Sequence, residues 1–134
     1  RVVQDLCLIN AAKVPIHPVV PNRYTLLTQI SEGTKWFTVL DLKNAFFFIP
    51  LHLYSQYLSA FKDASDQTIQ LTWMVLPWGF DILHLFGQAL SKDLTEFSHL
   101  QVKILQYVGD ILLCTPTEEA SQEGTEALFN LLAD

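Results

Sequence analysis

The sequence predicts an α+β domain, an antiparallel sheet with helices packed on one face. Three observations carry this expectation. Short runs rich in β-branched and aromatic residues, such as Lys35 to Leu42 (KWFTVLDL), are separated by polar turns. From His84 onward the apolar residues recur at helical spacing. Leu105 to Cys114 (LQYVGDILLC) then reads as two strands joined by a tight turn.

In chain order, Arg1 to Asn10 (RVVQDLCLIN) looks extended, with apolar positions on both faces. Pro15, Pro18 and Pro21 exclude a helix and suit an extended connector. Residues 25–30 (TLLTQI) allow one helical turn or two, and Glu32-Gly33-Thr34 reads as a turn. Lys35 to Leu42 reads as a buried strand ending at Asp41. Phe46 to Leu51 and Tyr57 to Phe61 are predicted as a strand hairpin, residues 62–70 as an exposed turn, and residues 71–77 (LTWMVLP) as a further strand. Leu85, Phe86, Ala89, Leu90, Leu94 and Phe97 mark one helix face. Val102 to Val108 and Ile111 to Cys114 are strands, with Gly109 and Asp110 expected as the central residues of a type II′ turn. Thr115-Pro116-Thr117-Glu118 has the pattern of a capping box before a last amphipathic helix.

Bulk properties narrow the function. A chain of 134 residues, half of them hydrophobic, builds one modest domain with a real core and excludes disorder. The net charge of −6 counts against a nucleic-acid binder, which normally carries a basic footprint. Cys7 and Cys114 lack metal-ligand spacing and read as reduced core thiols. The four histidines form no HxH or HxxxH pair, which argues against zinc. Apolar runs are too short to span a bilayer and no signal-peptide pattern is present, so an intracellular location without a membrane partner is expected. The chain starts mid-pattern at Arg1 and stops on an apparent helix at Asp134, so it reads as a piece of something larger.

Two carboxylates stand out. Asp41 closes a strand and Asp110 sits at a hairpin, and in an antiparallel sheet such ends can lie side by side. A carboxylate pair of that kind suits Mg²⁺ or Mn²⁺, which take hard oxygen ligands. The same residues also read as an ordinary strand-end hydrogen-bonder and an ordinary turn residue.

The blocks RVVQDL, VPIHPVVPN with YTLL, KWFTVLDLKNAFFFIPLH, LTWMVLPWGF and LQYVGDILL resemble, in order and spacing, the reverse transcriptase of retroviruses, in particular gammaretrovirus-like and related endogenous retroviral polymerases. The resemblance covers essentially all of residues 1–134. It implies a palm-like sheet with part of the fingers, the thumb, connection and ribonuclease H domain lying elsewhere. It also implies an RNA-directed DNA polymerase acting on an RNA or DNA template-primer and deoxynucleoside triphosphates within a retroviral polyprotein. In that family two cations about 3.5–4 Å apart clamp the attacking and leaving oxygens.

By the same resemblance Asp41 is the first metal-binding aspartate. Phe46 is the aromatic gate against a ribose 2′-hydroxyl, although a core phenylalanine is equally compatible with the Phe46-Phe47-Phe48 run. Arg1 matches the arginine that contacts the triphosphate. Lys43, Asn44 and Ala45 fall where backbone amides approach the phosphates and the sugar, with Asn44 in place of the usual aspartate. Tyr107 and Val108 open the hairpin motif.

The pattern breaks at two places. The family's Tyr-Val-Asp-Asp reads Tyr107-Val108-Gly109-Asp110 here, so Gly109 replaces a metal-binding aspartate and Asp110 is the more peripheral acid that remains. Glycine at the head of the turn is expected to relieve strain there. In LPWGFDILHLF, Trp78 replaces a glutamine near the template and incoming nucleotide, and one residue is missing between Phe80 and His84. The expectation is a reverse transcriptase homologue that is catalytically degenerate; the alternative is a non-enzymatic palm-fold remnant or binding module.

Overall fold

The computed structural model describes residues 3–17, 19–79 and 83–133, and the side chains of Phe46, Leu83 and His84 are outside that description. Helix α1 (Cys7–Ala12) starts where Asp5 Oδ1 accepts the Cys7 N–H at 2.9 Å. This overturns the extended reading over residues 7–10, because the Asp5 side chain captures a first-turn donor and the first proline arrives only at Pro15, while residues 3–6 are non-helical and Arg1 and Val2 lie outside the described residues. The proline-spaced connector is non-helical where described. Helix α2 (Arg23–Leu27) is capped by Asn22, whose side chain accepts from Tyr24 N at 2.9 Å. Strand β1 (Trp36–Asp41) follows the turn closed by Thr34 N and Ser31 O.

The hairpin expected over residues 46–61 is absent. Asn44 takes φ +58° and turns the chain into a 3-10 segment, Ala45–Phe48. Helix α3 (Leu53–Gln56), capped by His52, and a second 3-10 turn, Tyr57–Ser59, come next. Leu53, Tyr54, Tyr57 and Leu58 recur at three to four residues, a helical spacing that β propensity concealed. Among the described residues the strands of this region are β2 (Phe61–Lys62) and β3 (Gln70–Leu71), which pair antiparallel. Of the strand expected over 71–77, Leu71 belongs to β3 and Val75 forms an isolated bridge with Pro50. Leu51 N donates to the Met74 carbonyl and Leu76 N to the Ile49 carbonyl, so Pro50 and Val75 form a non-hydrogen-bonded pair in which the missing N–H of Pro50 costs nothing.

Helix α4 (Leu83–Leu94), strand β4 (Lys103–Tyr107), strand β5 (Asp110–Thr115) and helix α5 (Glu118–Ala133) complete the chain. The N-cap of α5 is Thr117, whose hydroxyl accepts from Ala120 N, and not Thr115. Thr115 stays in β5, fully buried, and gives its hydroxyl to the Thr117 carbonyl.

The chain forms two compact units, Arg1–His17 with Asn44–Leu83, and Pro18–Lys43 with His84–Asp134. In the first, Leu6 and Leu76 are almost fully buried. Trp73 stacks on Phe47 and donates to Gln4 at 2.9 Å, tying the N-terminal segment to the bridge region.

The second unit holds a three-stranded antiparallel sheet in the order β1-β5-β4. Its register assigns the faces. Thr38, Leu113 and Ile104 share one face, as do Leu40, Ile111 and Gln106. Thr38 hydrogen-bonds Ser121 of α5 at 2.6 Å and Gln106 reaches Gly87 of α4, so both helices pack on that face. Ile111, Leu113 and Leu128 are fully buried there. Helices α4 and α5 therefore lie on one face, as the sequence predicts, whereas α2 stands beside the other, next to Val39 and Leu112. The opposite face carries Phe37, Val39 and Asp41, and β1 is not the buried strand that its composition implies: Val39 is 72% exposed. Cys7 is exposed, not a core thiol, whereas Cys114 is buried.

Candidate active site at the β1–β5 sheet end

Asp41 ends β1 and Asp110 begins β5, and the two are direct cross-strand partners. Asp110 is also opposite Tyr107 of β4. Side chains at such positions share a face, so Asp41, Asp110 and Tyr107 form a row across the sheet end, on the face away from α4 and α5. Directly opposed residues hold their Cβ atoms about 4.5–5.5 Å apart. Both carboxylates are exposed. Beside them a cleft of about 160 Å³ is bounded by Arg23 and Leu27 of α2 and by Tyr107, Asp110 and Leu112 of the sheet.

The β4–β5 turn differs from the expected one. Its central residues are Val108 and Gly109, and Asp110 already belongs to the strand. Val108 takes φ +55°, while Gly109 lies outside the left-handed region. Strain relief by Gly109 therefore does not apply; the strained residue is Val108. A Cβ at Gly109 would meet Phe86 Cε1 at 3.6 Å, an ordinary contact, so the backbone accepts an aspartate there.

The donor set at this end is two carboxylates on one face, which fits a hard divalent cation held by oxygen. Among the described residues no group of three or more His, Cys, Asp or Glu side chains gathers. The remaining predicted site residues are distributed as follows. Lys43 is exposed just beyond β1 in the same unit, and Asn44, Ala45, Phe46 and Trp78 belong to the other unit. Ala45 is buried and Trp78 is 52% exposed. Arg1 lies outside the described residues, as do residues 80–82 around the expected deletion.

Gln106 escaped the sequence reading. Its Nε2 donates to the carbonyls of Gly87 and Val108 at 2.7 and 2.8 Å. A polar residue inside the apolar run of LQYV, at a position facing the helices, was the available signal. Behind the row, burial pushes the Cys114 thiol above its ordinary range, and Lys103 opposite it partly offsets this.

The family model described as reverse transcriptase (RNA-dependent DNA polymerase) matches residues 1–134, and the chain belongs to that family. It is 48% identical over 140 residues to a Pol polyprotein of Feline endogenous virus ECE1, covering 100% of this chain and 13% of that protein. It is 47% identical to a Gag-Pol polyprotein of Baboon endogenous virus (strain M7), covering 100% of this chain and 8% of that one. The chain thus spans roughly a tenth of these relatives. Among solved structures, a foamy viral protease-reverse transcriptase in complex with dsDNA matches at 26% identity and a TM-score of 0.80, over 99% of this chain and 26% of that one. The native Prototype Foamy Virus protease-reverse transcriptase matches at 29% identity and a TM-score of 0.75, over 99% and 17%. No helix among the described residues is long and apolar enough to cross a membrane.

Proposed function

We propose that this chain is the palm and part of the fingers of a reverse transcriptase whose nucleotidyl-transfer site has degenerated. The observation that carries the reading is the pairing of Asp41 with Asp110 at the sheet end, with Gly109 where the family has its third carboxylate. The chemistry supplied by Mg²⁺ or Mn²⁺ bound there is Lewis-acid stabilisation of the transferring phosphoryl group. The chain's own contribution is to hold two carboxylate oxygens on one rigid sheet end, where they need no reorganisation. With Gly109 the negative charge at this end falls by one, which weakens cation binding and leaves phosphoryl charge less compensated. Arg1, Lys43 and the backbone of Asn44 and Ala45 serve the nucleotide phosphates, Phe46 the sugar, and Trp78 crowds the template side. A template-primer of RNA or DNA is the partner, consistent with the dsDNA held by the foamy viral neighbour. The remainder of a retroviral polyprotein supplies the thumb and ribonuclease H parts. Gly109 also supports a non-enzymatic palm-fold remnant, which shares the fold and differs only in chemistry.

The test is primer extension by the baboon endogenous virus polymerase with its matching segment replaced by this chain. The expected rate falls by about 10²–10³ or more relative to the parent, as when one key electrostatic group is removed. Gly109→Asp should recover a substantial part. A replacement as fast as the parent would sink the degenerate reading.

A further inference from the structure

We infer that Gln106 is a positioning residue for the Asp41–Asp110 pair, acting as a clamp that fastens the Val108–Gly109 turn to helix α4. Gln106 lies in β4 opposite Ile111, on the helix-covered face. Its carboxamide donates one hydrogen bond to the Gly87 carbonyl of α4 at 2.7 Å and another to the Val108 carbonyl of the turn at 2.8 Å. Both amide donors are thereby used, one on each side of the junction.

The turn has reason to need a clamp. Val108 is β-branched and takes φ +55°, a conformation that carries a steric penalty for such a residue. The two-residue turn with positive φ at its first position is the type that favours glycine there, and this chain has valine. The seat on the helix is equally close. A Cβ on Gly87 would stand 3.3 Å from Val108 Cα and 3.6 Å from Val108 O. Without the hydrogen bonds, Val108 relaxes toward negative φ. Asp110 is two residues further on and is the first paired residue of β5, so its register against Asp41 shifts with the turn. The consequence for a cation rests on the metal reading proposed above; the clamp rests on the hydrogen bonds and the backbone alone.

The experiment uses the whole chain and two readouts. One is amide hydrogen exchange at Val108 and Gly109 in the cation-free chain; the other is Mn²⁺ binding followed by electron paramagnetic resonance. Gln106→Leu is expected to speed exchange at the two turn amides about tenfold and to weaken Mn²⁺ about tenfold, with exchange at Leu113 unchanged. Adding Val108→Gly should recover most of both effects, because glycine takes positive φ without strain. Gly87→Ala should reproduce the Gln106→Leu behaviour by lifting the turn from the helix. Unchanged exchange at the turn overturns the proposal. So does a uniform acceleration across the sheet that Val108→Gly fails to relieve, since that marks Gln106 as packing only. Local acceleration in Gln106→Leu, in a chain whose unaltered form binds no Mn²⁺, sustains the clamp and overturns the metal reading instead.

Discussion

Asp41 and Asp110 are like charges held directly opposite on neighbouring strands, an arrangement that destabilises a sheet when nothing neutralises it. Replacing one of them should therefore act in opposite directions with and without a cation. Asp41→Asn is expected to raise the melting temperature of the cation-free chain by roughly 1–3 °C. The same variant should lose the Mn²⁺-dependent rise that a bound cation gives the parent chain. Thermal melts with and without millimolar Mn²⁺ check both halves; a lower cation-free melting temperature would show that the acids do not repel. Gly109→Asp belongs to the same experiment. Its Cβ has room beside Phe86, and its backbone does not depend on glycine. At this half-buried position the variant should lower cation-free stability by less than about 1 kcal/mol, through repulsion from the two acids already there, while steepening the response to Mn²⁺. A large loss of stability would mean that the turn adapted to glycine.

At the scale of elements, α5, which packs on β5 and β1, also meets Val102, the residue before β4, through a glycine. A Cβ at Gly124 would stand 2.7 Å from Val102 Cγ2, and a β-branched valine has few rotamers with which to yield. Gly124→Ala should destabilise the chain by about 1–3 kcal/mol, and Val102→Ala should restore much of that loss in the double variant. Denaturant melts of the four-member cycle measure the coupling, and additive effects would place the two residues out of contact. The β2–β3 turn has a different weakness. Hydrogen bonds from Ser65 hold the Asp63 carboxyl below its ordinary range, and those from Thr68 do the same for Asp66. A carboxylate lowered in the folded state contributes its stabilisation above the unfolded value and loses it as pH falls through the folded one. The turn should thus stay closed at neutral pH and open in acid below the usual carboxylate range. The amide signals of Ser65 and Thr68, followed by NMR through an acid titration, should move together with their aspartates. Signals that stay fixed to the lowest pH would exclude the mechanism.

Across the molecule the exposed apolar surface is unevenly placed. Phe37 and Val39 are exposed on β1, which is an edge of the three-stranded sheet, so unpaired backbone groups and apolar side chains coincide there. Val39→Lys should raise the concentration at which the chain associates, measured by light scattering, with little effect on the melt. The same strand shows why composition misleads. WFTVLD carries β-branched and aromatic residues at most positions, so it signals a strand without telling which face is covered.

Local rules decided a definite part of this protein. Periodicity fixed α4 and α5, the strand signals fixed β1, β4 and β5, and the proline spacing excluded a helix from the connector. These are properties of nearest neighbours along the chain, and a sequence displays them directly. The ordered motifs also displayed the family. Other features needed the folded chain. Whether residues 46–61 made strands or helical turns depended on Asn44 at positive φ and on pairing that stops at the single Pro50–Val75 bridge. The position of the β4–β5 turn slid by one residue because pairing of Tyr107 with Asp110 outweighed the preference for glycine at positive φ. The opposition of Asp41 and Asp110 is a matter of register between strands far apart in sequence, and the hold of Gln106 on Val108 joins a strand, a turn and a helix. Such pairings are set by the free energy of burying one face of the sheet against α4 and α5, a sum over the packed unit that no local stretch contains.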